Sequence, residues 1–156
     1  MQFLYLIDLN GEKAPGSVEI FWKLRNGAGK APAPKRARDF AEQLVTGVMT
    51  HLEEVDERIK KYTTNYEMER LAVVDRNILR MAIFEMLHSP EVAPIIIINE
   101  AIEVAKKFGA EKSGSFINGV LDKLKEEAGR PARGEGAAAK AAAAKAAARK
   151  AAAAKP

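Results

Sequence analysis

The sequence contains no cysteine, only two histidines and a single tryptophan. Without cysteine, disulfides and thiolate metal sites are excluded, and a reducing compartment fits. His51 and His88 stand far apart, with no metal-type spacing to other ligands. A structural role is therefore expected for both, and His88 suits the C-terminal end of a helix dipole. Long hydrophobic runs are missing too: the isoleucine run Ile95–Ile98 falls far short of a bilayer. The opening "MQFLYLIDLN" has no basic residue before its apolar stretch and is cut by Asp8, which excludes a secretion signal. There is no phosphate-binding glycine loop and no nucleophile elbow. The acids Glu53, Glu54, Asp56 and Glu57 lack the glycine turn and ligand spacing of a calcium loop and read as a solvated helix face. The expectation is a cytoplasmic, non-membrane protein that is not an enzyme and needs neither metal nor cofactor.

What is present is apolar and unevenly charged. With 156 residues, 47% of them hydrophobic, the chain can bury a sizeable core. The formal charge of +4 is not spread evenly. The segment from Arg130 onward carries a net +6, so residues 1–129 are net −2. The basic character belongs to the tail. This division predicts a folded domain over 1–128 and a low-complexity tail over 129–156.

The body reads as helices. Ala41, Leu44, Val48, Leu52, Val55 and Ile59 form one apolar stripe at intervals of three and four, which predicts a single helix through this region. Glu54–Arg58, Asp56–Lys60 and Glu57–Lys61 are spaced for exposed pairs along it. Thr64-x-x-Glu67 has the form of a capping box and predicts the start of the next helix, which runs to His88 ahead of Ser89-Pro90. Apolar residues occupy most of that helix's circumference, which marks it as central. Ile95, Ile98, Ala101/Ile102, Ala105 and Phe108 continue as a third stripe, with Pro94 in its first turn and Gly109 at its C-cap. A last helix turns Phe116, Ile117, Val120, Leu121 and Leu124 inward, with Ser113 or Ser115 as N-cap. No region alternates with period two. The fold class is all-α.

Two features invite a functional reading. "KKFGAEKSGSF" places Lys106, Lys107, Phe108, Gly109 and Lys112 at one helix junction. Lysines and an aromatic there suit a phosphate backbone and a stacked base; the competing reading is a capped turn with Phe108 and Phe116 in the core. The tail is the second feature. Lys140, Lys145, Lys150 and Lys155 recur every five residues among alanines, joined by Arg149. Such a partly helical, otherwise disordered cation favours a polyanion, and a solubility tail is the alternative.

"VVDRNILRMAIFEML" and "INEAIEVAKKFGAEKSGSFINGVLDKL" resemble the NusB family of transcription antitermination factors. The family pattern has an aspartate-arginine pair heading a buried "ILR-A-E-L" helix, then a proline, "INEA-E-AK-FG" and "F-NGVLDK". In this sequence these are Asp75-Arg76, Ile78–Arg80, Ala82, Glu85, Leu87, Pro94, Ile98–Ala101, Glu103, Ala105-Lys106, Phe108-Gly109, Phe116 and Asn118–Lys123. "FAEQLVTGVMTHLEEVDERI" and "ERL" fit the preceding helices, so the resemblance spans residues 1–127.

The resemblance implies an all-helical domain of two small packed bundles. It also implies binding, together with the ribosomal protein NusE, to the single-stranded boxA element of ribosomal RNA leaders. That complex joins NusA, NusG and RNA polymerase and suppresses Rho-dependent termination. "QFLYLIDLN" resembles the second half of the family's first helix; the arginine-rich segment that usually precedes it is expected to be lost or to lie upstream of Met1. Tyr5 matches an RNA-facing position, with Phe108 through Lys112 on the same side. Asp75, Arg80 and Phe116 match the side that meets NusE. Lys112 replaces a common acid, and Tyr66 the usual tryptophan. The tail lies outside the family core and is expected to stand in for the absent arginines. A homodimer stays open. So does sequence-blind nucleic-acid binding through the tail. The family also resembles an accessory domain of ribosomal RNA cytosine methyltransferases, but no cofactor domain is seen in this sequence, so methyl transfer is not expected.

Overall fold

A computed structural model describes residues 1–11, 20–23, 26, 32–63 and 67–127. The expectations for the tail, for Thr64 and for Tyr66 lie outside them. Among the described residues there is no strand; residues 20–23 and 26 are helical, and the helices with both ends described are α1 (Gln2–Asn10), α2 (Lys35–Thr50), α3 (Leu52–Tyr62), α4 (Val73–His88), α5 (Pro94–Phe108) and α6 (Ser113–Glu127).

α4 is the axis. Ile78, Leu79, Ala82, Ile83 and Met86 are buried on it, and it touches each of the other five helices. Two apolar cores form around it. One joins Val55 and Ile59 of α3 to α4, to Ile97, Ile98, Ala101 and Ala105 of α5, and to Ile117, Val120, Leu121 and Leu124 of α6. The other joins Phe3, Leu4 and Ile7 of α1 to Val45 and Val48 of α2, closed by Met81 and Phe84 of α4. The two bundles therefore share one helix. Each fully buried aliphatic side chain contributes about 1.5–3 kcal/mol.

α1 illustrates the dependence on packing. Nine residues are too few for a helix to persist alone. Phe3, Leu4 and Ile7 bury its inner face, and Gly11 closes it at φ +63°, donating its N–H to the Ile7 carbonyl at 2.8 Å. Only glycine takes that left-handed conformation at no cost.

Several expectations are corrected. The single stripe through 41–59 is two helices, α2 and α3, because His51 leaves helical geometry at φ −110°, ψ 24°. The apolar phase runs on across the break, so the pattern does not reveal it. The helix expected from the capping box begins only at Val73: Glu67 and Leu71 are extended around a 3₁₀ turn, Met68–Arg70, which lets Met68 and Leu71 enter the core. Pro94 does open α5, and Gly109 does follow it, though extended and not left-handed. Ile97 is buried where Ile95 was expected, and Ile95 and Phe108 are 41% and 39% exposed. Neither serine caps α6 through an α6 amide. The Ser113 hydroxyl accepts from the Ala110 N–H at 2.9 Å, and the Ser115 hydroxyl donates to the Lys112 carbonyl.

The acids of α3 also differ from expectation. No ion pair forms along α3 itself among the described residues, and two of the acids reach across to other helices. Asp56 meets Arg80 and Glu54 meets His88, while Arg58, Lys61 and Tyr62 all converge on Glu127 at the end of α6. Lys61 approaches Glu127 to 2.5 Å. Lys61, with Tyr62, holds the Glu127 carboxyl below the usual range. Desolvation and the Glu127 contact push the Tyr62 phenol up to about 12.

Candidate nucleic-acid and partner interface

The α5–α6 junction is built by a close approach of backbone and side chain. A Cβ on Gly109 would lie 2.6 Å from Ser113 Cβ and 2.8 Å from the Ala105 carbonyl oxygen. Glycine lets the chain leave α5 and begin α6 four residues after it. The turn carries its cations outward. Lys107 holds its ammonium 5.4 Å from the Phe108 ring centroid, Lys106 pairs with Glu103 at 2.6 Å, and Lys112 has no ion-pair partner among the described residues. The core reading of Phe108 fails, since 39% of it faces solvent. Phe116 stays half-buried against the core.

Phe108 also lines an apolar groove of about 450 Å³ with Val104, with Met1 and Phe3 of α1, and with Phe40 of α2. The first turn of α1 thus adjoins the lysine-bearing turn, and half-buried Tyr5 follows one turn along. An open aromatic ring, an unpaired ammonium and a groove in one corner can take a base and a phosphate.

The residues matched to the partner side divide. Asp75 sits in the first turn of α4, where the helix dipole favours an acid, and one of its carboxylate oxygens is buried without a hydrogen-bond partner. Arg80 is held inside the molecule. Its guanidinium grips Asp56 with two contacts of 2.8 Å and lies 3.2 Å from Asp8, with its side chain 11% exposed. Burial alone would lower its proton affinity, but Asp56 and Asp8 outweigh that and hold it above the ordinary value. Arg80 therefore braces the fold, and a direct contact to a partner would have to displace its own carboxylates.

The sequence reading missed the rest of this network. Asp8 accepts from Arg76 at 2.9 Å and from Asn77 at 2.8 Å, and Arg76 also donates to the Met68 carbonyl at 2.7 Å. The available signal was an aspartate inside the apolar run "LYLIDL" and two arginines four apart on an otherwise buried helix. His51, Glu54 and His88 also converge, though nothing in their spacing shows it.

An all-helical scaffold with a basic-aromatic corner and a paired internal charge network defines a binding domain. A model of the NusB family matches residues 1–126. The transcription antitermination protein NusB of Sorangium cellulosum (strain So ce56) is 41% identical over 133 residues, covering 85% of this chain and 91% of its own. T. maritima NusB has the same fold at TM-score 0.69 and 31% identity, over 81% of this chain and 84% of that one. A structure of antitermination factors NusB and NusE in complex with dsRNA matches at TM-score 0.67 and 30% identity, over 80% and 89%. The chain belongs to the NusB family.

Proposed function

We propose that this chain is a transcription antitermination factor that binds boxA-type single-stranded RNA of ribosomal leaders together with NusE and suppresses Rho-dependent termination. NusA, NusG and RNA polymerase complete the assembly. The observation that carries the reading is the corner where Phe108, Lys107 and Lys112 adjoin the first turn of α1, in a chain that matches the NusB family over residues 1–126. The relative solved with NusE and RNA supports the choice of partners. Tyr5, Lys106, Lys107, Phe108, Gly109 and Lys112 form the RNA side. Asp75 and Phe116 form the NusE side, with Arg80 as the brace behind it.

The tail has its own part. Lys140, Lys145, Arg149, Lys150 and Lys155 belong to a segment of net charge +6. Those charges add affinity without base choice, with a salt slope of about −4 on single-stranded RNA at roughly 0.7 per neutralised phosphate. Its charge also favours the second reading, a sequence-blind nucleic-acid binder acting through the tail alone.

One titration separates them. Labelled boxA-like RNA and a scrambled control are measured against the full chain and a 1–129 truncation, with and without NusE, at two salt concentrations. The first reading expects boxA to win only with NusE, and the truncation to keep that preference at lower affinity. Equal binding of both RNAs by the full chain, and of neither by the truncation, transfers the function to the tail.

A further inference from the structure

The chain's only two histidines lie 37 positions apart in sequence, yet their rings meet at a centroid distance of 4.2 Å. His51 stands at the break between α2 and α3, and His88 is the last residue of α4. Glu54, in the first turn of α3, brings a carboxylate oxygen to 3.1 Å from His88 Nε2. One ligand atom from each of the three lies within 4.8 Å of the others.

The surroundings fix these groups. Phe84 stacks on His88 at 4.9 Å and touches the His51 ring at 5.5 Å, so one phenylalanine backs both imidazoles. The same ring presses on Gly47, whose carbonyl oxygen is 2.9 Å from His51 Nδ1. A carbonyl only accepts, so Nδ1 carries the proton and the Nε2 lone pair is left for a cation. An imidazole held at its far nitrogen by a backbone carbonyl is the usual outer support of a metal-bound histidine.

We propose that His51, Glu54 and His88 form a site for a zinc-class divalent transition metal, with water completing the coordination. Two imidazoles and a carboxylate are a donor set suited to zinc. Ligand atoms of a tetrahedral zinc site lie about 3.3 Å apart when the bonds are near 2.0–2.1 Å. The His88–Glu54 separation of 3.1 Å already fits such an edge. The side chains of His88 and Glu54 are 31% and 45% exposed, which leaves them room to close on His51. Two imidazolium rings at this distance repel one another, whereas two neutral rings turned toward one cation do not. Bound metal would join the start of α3 to the end of α4.

The test uses the full chain without an affinity tag, since a histidine tag would supply competing ligands. Zinc is titrated against a chromophoric chelator with magnesium in excess to occupy scattered carboxylates. Cobalt(II) then serves as a spectroscopic probe. The expected result is one zinc per chain, visible bands of four-coordinate cobalt, and a melting temperature that rises with zinc. E54Q and H88Q should each weaken binding by more than the roughly 10–100-fold that loss of an outer partner costs, and should abolish the cobalt bands. Both positions are at the surface, and the far-ultraviolet circular dichroism of the metal-free variants checks that they fold. Zinc binding below one per chain, or binding that neither substitution weakens, overturns the proposal. RNA and NusE play no part in these readouts, so the proposal and the antitermination reading can fail separately.

Discussion

Arg80 lays its guanidinium edge-on against the carboxylate of Asp56, Nε to Oδ1 and Nη2 to Oδ2, each at 2.8 Å. The contact joins α4 to α3 where both are largely buried. A paired interior charge is costly to break, because removal of one partner leaves the other desolvated and alone. Asp56→Ala should destabilise the fold by about 3 kcal/mol, read as a lower urea midpoint. Arg80→Lys should restore little, since an ammonium cannot match the two-point fork. A midpoint unchanged by Asp56→Ala would mean that Asp8 alone satisfies the arginine.

Gly47 and Gly119 should respond to alanine with opposite signs. A Cβ on Gly47 would stand 2.1 Å from the Phe84 ring, whereas one on Gly119 meets nothing within 4 Å. Gly47→Ala should cost about 1–3 kcal/mol through overpacking. Gly119→Ala should add about 0.5–1 kcal/mol through helix propensity. Thermal melts of the two variants beside the parent decide the matter.

Glu85 supplies a pH dependence. Burial, and then the nearby charge of Glu100, hold its carboxyl above the usual range. The folded chain thus binds this proton more tightly than the unfolded one. The stability it contributes is full below the ordinary carboxylate value and is lost as pH rises through the raised one. Glu85→Gln should therefore raise the melting temperature near neutral pH and leave it unmoved below about pH 4. An equal shift at both pH values would contradict this.

The proposed RNA-binding role of the α5–α6 corner predicts a division of labour among neighbouring residues. Phe108→Ala should cost about 1–3 kcal/mol of RNA affinity at any salt concentration. Lys112→Ala should lower the salt slope by about 0.7. Lys106→Ala should do less, because that ammonium already pairs with Glu103. Fluorescence anisotropy across a salt series, with NusE present, separates the three.

How much of this was legible in the sequence depends on the range of the interaction. α4 could be read as central because its own residues are apolar nearly all round. Pro94 marks its boundary by backbone chemistry that needs no partner. The break at His51 could not be read, since it rests on Gly47 lying against Phe84 and on a ring-to-carbonyl hydrogen bond, while the apolar phase continues unbroken. The helix start was displaced to Val73 for a related reason: burial of Met68 and Leu71 outweighs a local start signal. The acids of α3 looked like partners for lysines on their own helix because spacing is visible and neighbouring helices are not. In the corner, the family pattern located Phe108 and Lys112, but the exposure of the ring and the groove beside it required the fold. Arg80 was matched to the partner side by pattern, and the structure shows what holds it within.

Asp8 Oδ2 sits 2.9 Å from Arg76 Nε, 2.8 Å from Asn77 Nδ2 and 3.2 Å from Arg80 Nη1. One atom of α1 thus keys the whole helix to α4, as a pin locates a dial. A slip of one residue would turn α1 by about 100°, carry that oxygen off its three donors and turn Phe3, Leu4 and Ile7 out of their core. The aspartate that looked misplaced in an apolar run thereby fixes which face of α1 is buried.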